Sequence, residues 1–137
     1  MTRRVHLGPG RRIPAWLEAV DRACFGEAWG ALDDFEHVWA LQPVAFARWR
    51  IIPEVQEAEL LRIGVADPHR RQGHGAAMLR WSQQELARMG VEVLHLEVRV
   101  SNAAARALYE REGWACRGLR KGYYRDGEAA ALYSREN

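Results

Sequence analysis

The chain has 137 residues, enough for one domain and too few for two, and its 48% hydrophobic and 28% charged residues give a globular balance that excludes disorder. Twenty Lys and Arg stand against 18 Asp and Glu, so a net charge of +2 argues against nucleic-acid binding by composition. No apolar run approaches the roughly 18 to 20 residues of a membrane helix, and no apolar core follows the basic segment Met1 to His6, so a cytoplasmic protein is expected, neither inserted in a membrane nor secreted.

In chain order, Arg3 to Leu7 predicts a first strand, closed by the turn residues Gly8-Pro9-Gly10. Pro14 suits the first turn of a helix whose apolar face carries Ile13, Leu17, Val20, Asp21, Cys24 and Phe25. Steps of three and four residues through Leu32, Phe35, Val38 and Trp39 predict a second short helix from Asp33 to Leu41, which Pro43 stops. Strands are expected at Val44 to Ile52 and Glu57 to Val65, with a turn near Pro53. A glycine-rich loop then feeds a helix with Met78, Leu79, Ser82, Leu86 and Met89 as its buried stripe and Gly90 at its end. Alternation over Val91 to Val98 sets Leu94, Leu96 and Val98 on one face and Val93, His95 and Glu97 on the other. Ser101 and Asn102 cap a helix through Ala105, Leu108 and Tyr109 that Gly113 terminates, and Trp114 to Tyr124 with Glu128 to Tyr133 form a closing hairpin around Asp126-Gly127. Strands interleaved with helices make this an α/β domain, α+β in some schemes, with a sheet that is at least partly mixed. Cys24 and Cys116 are too few for a disulfide framework and are expected to be reduced.

The sharpest local feature is Arg70-Arg71-Gln72-Gly73-His74-Gly75, between a strand and a helix. Glycines let the backbone turn tightly, and the free amides of a first helical turn make an anion site for a pyrophosphate, with Arg70 or Arg71 adding charge. A solvated glycine-rich connection with a basic surface fits the same hexapeptide. No Lys-Ser or Lys-Thr follows, which excludes a nucleoside-triphosphate loop, and the position so far from the first strand disfavours a dinucleotide fingerprint.

The stretch from Leu60 through Ile63-Gly64-Val65-Ala66-Asp67-Pro68 to Gly75 resembles the acetyl-CoA-binding core of the GCN5-related N-acetyltransferases. Leu96-Glu97-Val98-Arg99-Val100-Ser101-Asn102, the run Ala103 to Trp114, and Arg120-Lys121-Gly122-Tyr123-Tyr124 resemble more narrowly the ribosomal-protein-alanine N-acetyltransferase branch. The resemblance covers about Glu59 to Tyr133. It implies a single domain over residues 1–137 with a mixed, centrally split β-sheet flanked by helices, acetyl-CoA as co-substrate, and no metal; no metal-ligand spacing occurs either. It also implies that Ile63, Gly64 and Val65 face the pantetheine arm, that Arg70, Arg71, Gln72, Gly73, His74, Gly75 and Ala76 surround the pyrophosphate, and that Asn102, otherwise a helix cap, touches the cofactor.

An amine attacks a thioester only when neutral, so a carboxylate that removes its proton serves the reaction, and a hydroxyl near the sulfur assists departure of the CoA thiolate. By the same resemblance Glu97 is the general base and Tyr109 the general acid. Read without it, Glu97 is a surface strand residue and Tyr109 a packing residue; His95, on the Glu97 face, is a weaker alternative base. The implied acceptor is the N-terminal amine of a protein, such as ribosomal protein bS18 with its N-terminal alanine, entering as an extended peptide past Trp29, Tyr123, Tyr124 and Glu128, with Glu59 and Glu128 as acidic complements to a basic partner.

The chain departs from the branch in its front half. A turn and an extra strand are expected before Val44 to Ile52, yet Trp39 to Val44 leaves little room for them, which predicts a shortened N-terminal half and an exposed sheet edge able to self-associate. The acidic pair before the final strand is reduced to Glu128 followed by Ala129. A small-molecule amine or lysine acetyltransferase of the same mechanism, and a non-catalytic acetyl-CoA-binding module, are the competing assignments.

Overall fold

The computed structural model describes residues 1–137. Its strands are β1 (Arg3–Leu7), β2 (Glu36–Gln42), β3 (Ala45–Ile52), β4 (Glu57–Val65), β5 (Val93–Arg99), β6 (Ala115–Arg120) and β7 (Ala130–Glu136), and its helices α1 (Ala15–Phe25), α2 (His74–Arg88) and α3 (Ala103–Arg111). They build one seven-stranded sheet in the order β1-β2-β3-β4-β5-β7-β6. Every neighbouring pair is antiparallel except β4 and β5, which are parallel and joined by a crossover through α2. A parallel connection returns the chain along the sheet, so the first turn of α2 stands at the carboxyl end of β4, where open α/β sheets take their ligands.

Each face of the sheet buries a separate apolar cluster. Leu17 and Val20 of α1 pack with Leu7, Val38, Ala40 and Phe46 on one face. Met78, Leu79 and Leu86 of α2 and Tyr109 of α3 pack with Trp39, Ala47, Trp49, Leu60, Leu94 and Leu96 on the other. The stripe expected on α2 holds for Met78, Leu79, Ser82 and Leu86, but Met89 lies past the helix end and is 49% exposed. Pro14 precedes the helix it was expected to enter, standing as the N-cap of α1.

The expected helix from Asp33 to Leu41 is instead strand β2, paired with β1 on one side and β3 on the other. Val38 and Ala40 enter one cluster and Trp39 the other, so both faces are apolar and the period of two is hidden. The strand thought missing from the front half is therefore present. A second helix has no counterpart there: residues 26–35 form turns and bends, and the edge is the paired strand β1.

That connection is held by Arg48 on β3. Its guanidinium donates to Gly30 O at 2.9 Å, Ala31 O at 3.0 Å and Glu36 Oε1 at 2.8 Å. Both side chains of the Arg48–Glu36 pair are nearly inaccessible, at 4% and 3% exposure, so loss of Arg48 leaves the buried Glu36 carboxylate with only the more distant Arg50, at 3.8 Å, as a charge partner. Arg48→Met is expected to destabilise the protein by about 3–5 kcal/mol in denaturant titrations, with part of the loss recovered when Glu36→Gln is added.

Candidate active site

Four register pairs, from Glu57–Val93 to Leu60–Leu96, join β4 to β5 before the ladder ends. Both strands continue, and their other edges remain paired, β4 with β3 as far as Val65 and β5 with β7 as far as Arg99. A cleft of about 220 Å³ opens where they part, lined by Glu59, His95, Leu96, Glu97, Leu132 and Tyr133. Glu97 is the first β5 residue beyond the last β4 pair. Leu96 and Tyr133 belong to the α2 and α3 side of the sheet, while Glu59, His95 and Glu97 alternate to the opposite side.

At the carboxyl end of β4 the chain passes through a single 3₁₀ turn, Asp67–His69, before α2. Arg71 and Gly73 hold left-handed backbone angles, φ 63° and 81°. No backbone amide from Arg71 through Ala76 donates a hydrogen bond within the chain; the first bond of the helix is Ala77 N to Gly73 O. Gly73, as the N-cap, has no side chain to cap these amides, and no acidic residue lies in the first turn. A run of outward amides at a helix start is an anion-binding nest, and it fits the diphosphate of a CoA thioester. The arginines differ in role. Arg70 is committed to Val65 O at 3.1 Å and reaches Asp67 and the Cys24 thiol, whereas Arg71 is exposed and forms no ion pair.

Gly64 has a packing reason to be glycine apart from any ligand. A Cβ there would lie 2.7 Å from Cε1 of buried Phe46 and 3.3 Å from Cys24 Sγ. Gly75 is less constrained, since a Cβ would meet Leu108 and Val65 at ordinary contact distances. Ile63 and Val65 pack against the α2 cluster at the free edge of β4. Asn102 caps α3, its Oδ1 accepting from Ala105 N at 3.1 Å.

Glu97 is partly exposed, and Arg120 Nη1 approaches it at 3.6 Å. Tyr123 lies against the same carboxylate, and its hydrogen bonding to Glu97, then burial, then the carboxylate's negative charge push the Tyr123 hydroxyl up to about 12. Tyr109 is 6% exposed, with its ring 6.0 Å from Trp114 and 6.2 Å from Tyr133. Burial, with a smaller contribution from Tyr124, pushes its hydroxyl up to about 12, so it holds its proton across the working pH range. Tyr109 is not in the wall of the cleft; Tyr133, which is, packs against it. His95 is committed to Glu57 by a short hydrogen bond and is poorly placed as a free base.

Arg99, two residues beyond Glu97 on the same face, went unnoticed in the sequence although strand alternation pointed to it. Its Nη1 bonds Asp126 Oδ2 and Glu128 Oε1, each at 2.9 Å, and its guanidinium lies 4.1 Å from the centre of the Tyr124 ring. Glu128 Oε2 also accepts from Ser101 N at 2.8 Å. Both Glu128 oxygens are thus engaged inside the protein, which corrects the expectation that Glu128 offers acidic complementarity to a partner. Its role is to tie the β6–β7 connection to β5, setting Tyr123 and Tyr124 beside Glu97. Trp29 stands further off, stacked under Arg48 and Arg62 at 4.9 and 4.7 Å.

Residues 7–114 match the model of the acetyltransferase (GNAT) family. The chain belongs to that family. It is 43% identical over 90 residues to the "[Ribosomal protein bS18]-alanine N-acetyltransferase" of Escherichia coli K12, a match over 64% of this chain and 60% of that relative, so it spans less than two thirds of the relative's length. It is 38% identical over 82 residues to the "N-alpha-acetyltransferase" of Saccharolobus solfataricus, covering 59% of this chain and 49% of the relative. In three dimensions it superposes on the ribosomal-protein-S18-alanine N-acetyltransferase of Escherichia coli with a TM-score of 0.77 and 27% identity, over 99% of this chain and 94% of that one. The split sheet and the amide turn thus sit in a single GNAT-like α/β domain. No helix of the structure is long and apolar enough to cross a membrane.

The tie through Arg99 predicts a pH dependence. Glu128 is held below the ordinary carboxylate range by its hydrogen bonds from Ser101 and by Arg99, and Asp126 by the amide of Glu128 and then Arg99. Depressed carboxylates add stability that is fully present above their ordinary values and lost as pH falls through the lowered ones. Hydrogen exchange should find the Ser101 and Glu128 amides protected at neutral pH, with protection factors falling below about pH 4.

Proposed function

We propose that this GNAT-family chain transfers the acetyl group of acetyl-CoA to the N-terminal α-amine of a protein, with an alanine-starting chain such as ribosomal protein bS18 as acceptor. The observation that carries the reading is the placement of Glu97 where β4 and β5 part, at the end of the sheet that also bears the unbonded amides of Arg71 to Ala76. The choice of acceptor rests on the similarity to the E. coli enzyme, and a ribosomal acceptor would be met in the cytoplasm.

In this reading the amides of Arg71, Gln72, Gly73, His74, Gly75 and Ala76 hold the diphosphate, with Arg71 adding charge and Arg70 fixing the turn through Val65. The free edge of β4 at Ile63, Gly64 and Val65 offers backbone groups to the amide-bearing pantetheine arm, and Asn102 closes the site from the start of α3. The thioester supplies an activated acyl carbon. Glu97 removes a proton from the acceptor amine, directly or through water, because an N-terminal amine of pKa about 8 is mostly protonated at neutral pH. Tyr109 keeps its proton and donates it toward the departing sulfur. Tyr123 and Tyr124 flank the entering peptide, and the reaction calls on no metal.

The test is CoA-thiol release on an alanine-starting peptide, with mass detection of the product. Turnover is expected on the free amine and none on the α-acetylated peptide. Glu97→Gln and Tyr109→Phe should each lower kcat by roughly 10²- to 10⁴-fold while acetyl-CoA affinity, measured by calorimetry, stays within about twofold. Turnover confined to small amines would transfer the mechanism to another acceptor class, and acetyl-CoA binding without turnover on any amine would leave only a binding module.

A further inference from the structure

Tyr109 stands on α3, the shortest helix of the structure, whose nine residues fall below the roughly 12 to 15 that make an isolated helix stable. It is the one buried residue of that helix. Packing of its ring against Trp114 and Tyr133 sets how deep the helix sits but does not fix its roll about its own axis. A polar clasp does. The Tyr133 hydroxyl accepts from Arg106 Nε at 3.0 Å and donates to Glu110 Oε2 at 2.5 Å, while Arg106 Nη1 also donates to Val100 O at 3.1 Å. Arg106 and Glu110 are one helical turn apart on the same face of α3 and bracket Tyr109 along the axis. Burial raises the Tyr133 hydroxyl, so it keeps the proton that it offers to Glu110.

The anchor of the clasp is rigid. Tyr133 lies on β7, paired to Leu96 on β5 and to Cys116 on β6, and Leu96 immediately precedes Glu97. Its hydroxyl therefore ties the helix that carries the phenol to the strand that carries the Glu97 carboxylate. Proton transfer needs donor and acceptor within about 2.6–3.2 Å, and a misplacement of about 1 Å costs on the order of a hundredfold. A roll of α3 by only about 10° moves an atom ~6 Å from the helix axis by about 1 Å. We propose, on the reading of Tyr109 as proton donor given above, that Arg106 and Glu110, gripping the Tyr133 hydroxyl, are positioning residues that aim the Tyr109 phenol at the departing sulfur. They exchange no proton with the substrate. The C–S bond breaks with its electron pair passing to sulfur, the phenolic proton follows, and Tyr109 regains a proton from solvent, to which Glu97 releases the one it took from the amine. Local sequence pattern hides the arrangement, since Tyr133 lies 23 residues from Glu110 and 27 from Arg106.

The test is a double-mutant cycle read by kcat on the alanine-starting peptide. Tyr133→Phe keeps the ring and removes the hydroxyl, and it should lower kcat about five- to thirtyfold with KM for acetyl-CoA and for the peptide within about twofold. In a Tyr109→Phe background, which has no phenol to aim, the same change should cost less than about twofold. Glu110→Ala should repeat the loss from an exposed position, and Glu110→Gln, which still accepts from the hydroxyl, should restore kcat to within about threefold of wild type. Full kcat in Tyr133→Phe or in Glu110→Ala would overturn the assignment. So would a loss of the same size in both backgrounds, because damage to the fold does not depend on the Tyr109 hydroxyl. If Tyr133→Phe fails to fold, the two Glu110 variants carry the same comparison. Full kcat in Tyr109→Phe would overturn the reading of Tyr109 as the acid and this assignment with it, and absence of wild-type turnover on any amine would overturn the acetyltransferase reading itself; both results are distinct from an impaired Tyr109→Phe enzyme beside clasp variants that work fully.

Discussion

The parting of β4 from β5 is the constraint on which the rest of the molecule depends. Beyond Leu60 and Leu96 each strand presents one row of N–H and C=O groups without a ladder partner. Backbone groups of this kind are costly to bury unsatisfied, so such a gap persists only where water or an extended polar ligand fills it. It is held open because the outer edge of each strand stays paired, β4 with β3 to Val65 and β5 with β7 to Arg99. The parallel relation of the two strands also forces the α2 crossover, which places a helix start with free amides at the mouth of the same gap.

Charge is unevenly distributed along this gap: the unbonded amides of the turn and Arg71 make one end electropositive, and Glu59 and Glu97 make the other electronegative. The two carboxylates would repel one another in a dry cavity, and the open cleft with Arg120 at its rim relieves part of that cost. Arg99 acts at one remove. By holding Asp126, Glu128 and Tyr124 it settles where the β6–β7 connection lies, and hence how near Tyr123 comes to Glu97.

Most of this was legible in the sequence wherever one face of an element is polar. The alternation of β5 placed Glu97 opposite Leu96 and Val98, the turn residues located the amide nest, and Asn102 announced the start of α3. Legibility failed where burial is two-sided or partners are distant. On β2, Val38 and Trp39 face different apolar clusters, and the resulting run resembles a helix stripe. The engagement of Glu128 by Arg99 and Ser101 spans more than 25 residues of chain, and that of His95 by Glu57 spans 38, beyond the reach of local pattern. Gly64 illustrates a third case: a residue assigned to ligand approach is also demanded by the Phe46 ring beneath it.

The front half is unusual in the same physical terms. With residues 26–35 outside any helix, that segment has no helical ladder to stiffen it, and side chains supply the rigidity instead. Arg48 takes the carbonyls of Gly30 and Ala31, Asp21 accepts from the Trp29 amide at 2.7 Å and from Arg62 at 2.8 Å, and the Trp29 ring is covered by both arginines. Buried, multiply bonded guanidinium groups hold a loop firmly because losing any one contact leaves a charge or a carbonyl unsatisfied. Such a segment is set by a few polar contacts and not by helix packing, so substitutions at Asp21 on α1 or Arg48 on β3 would loosen it while leaving the amide turn and β5, which are built on other elements, in place.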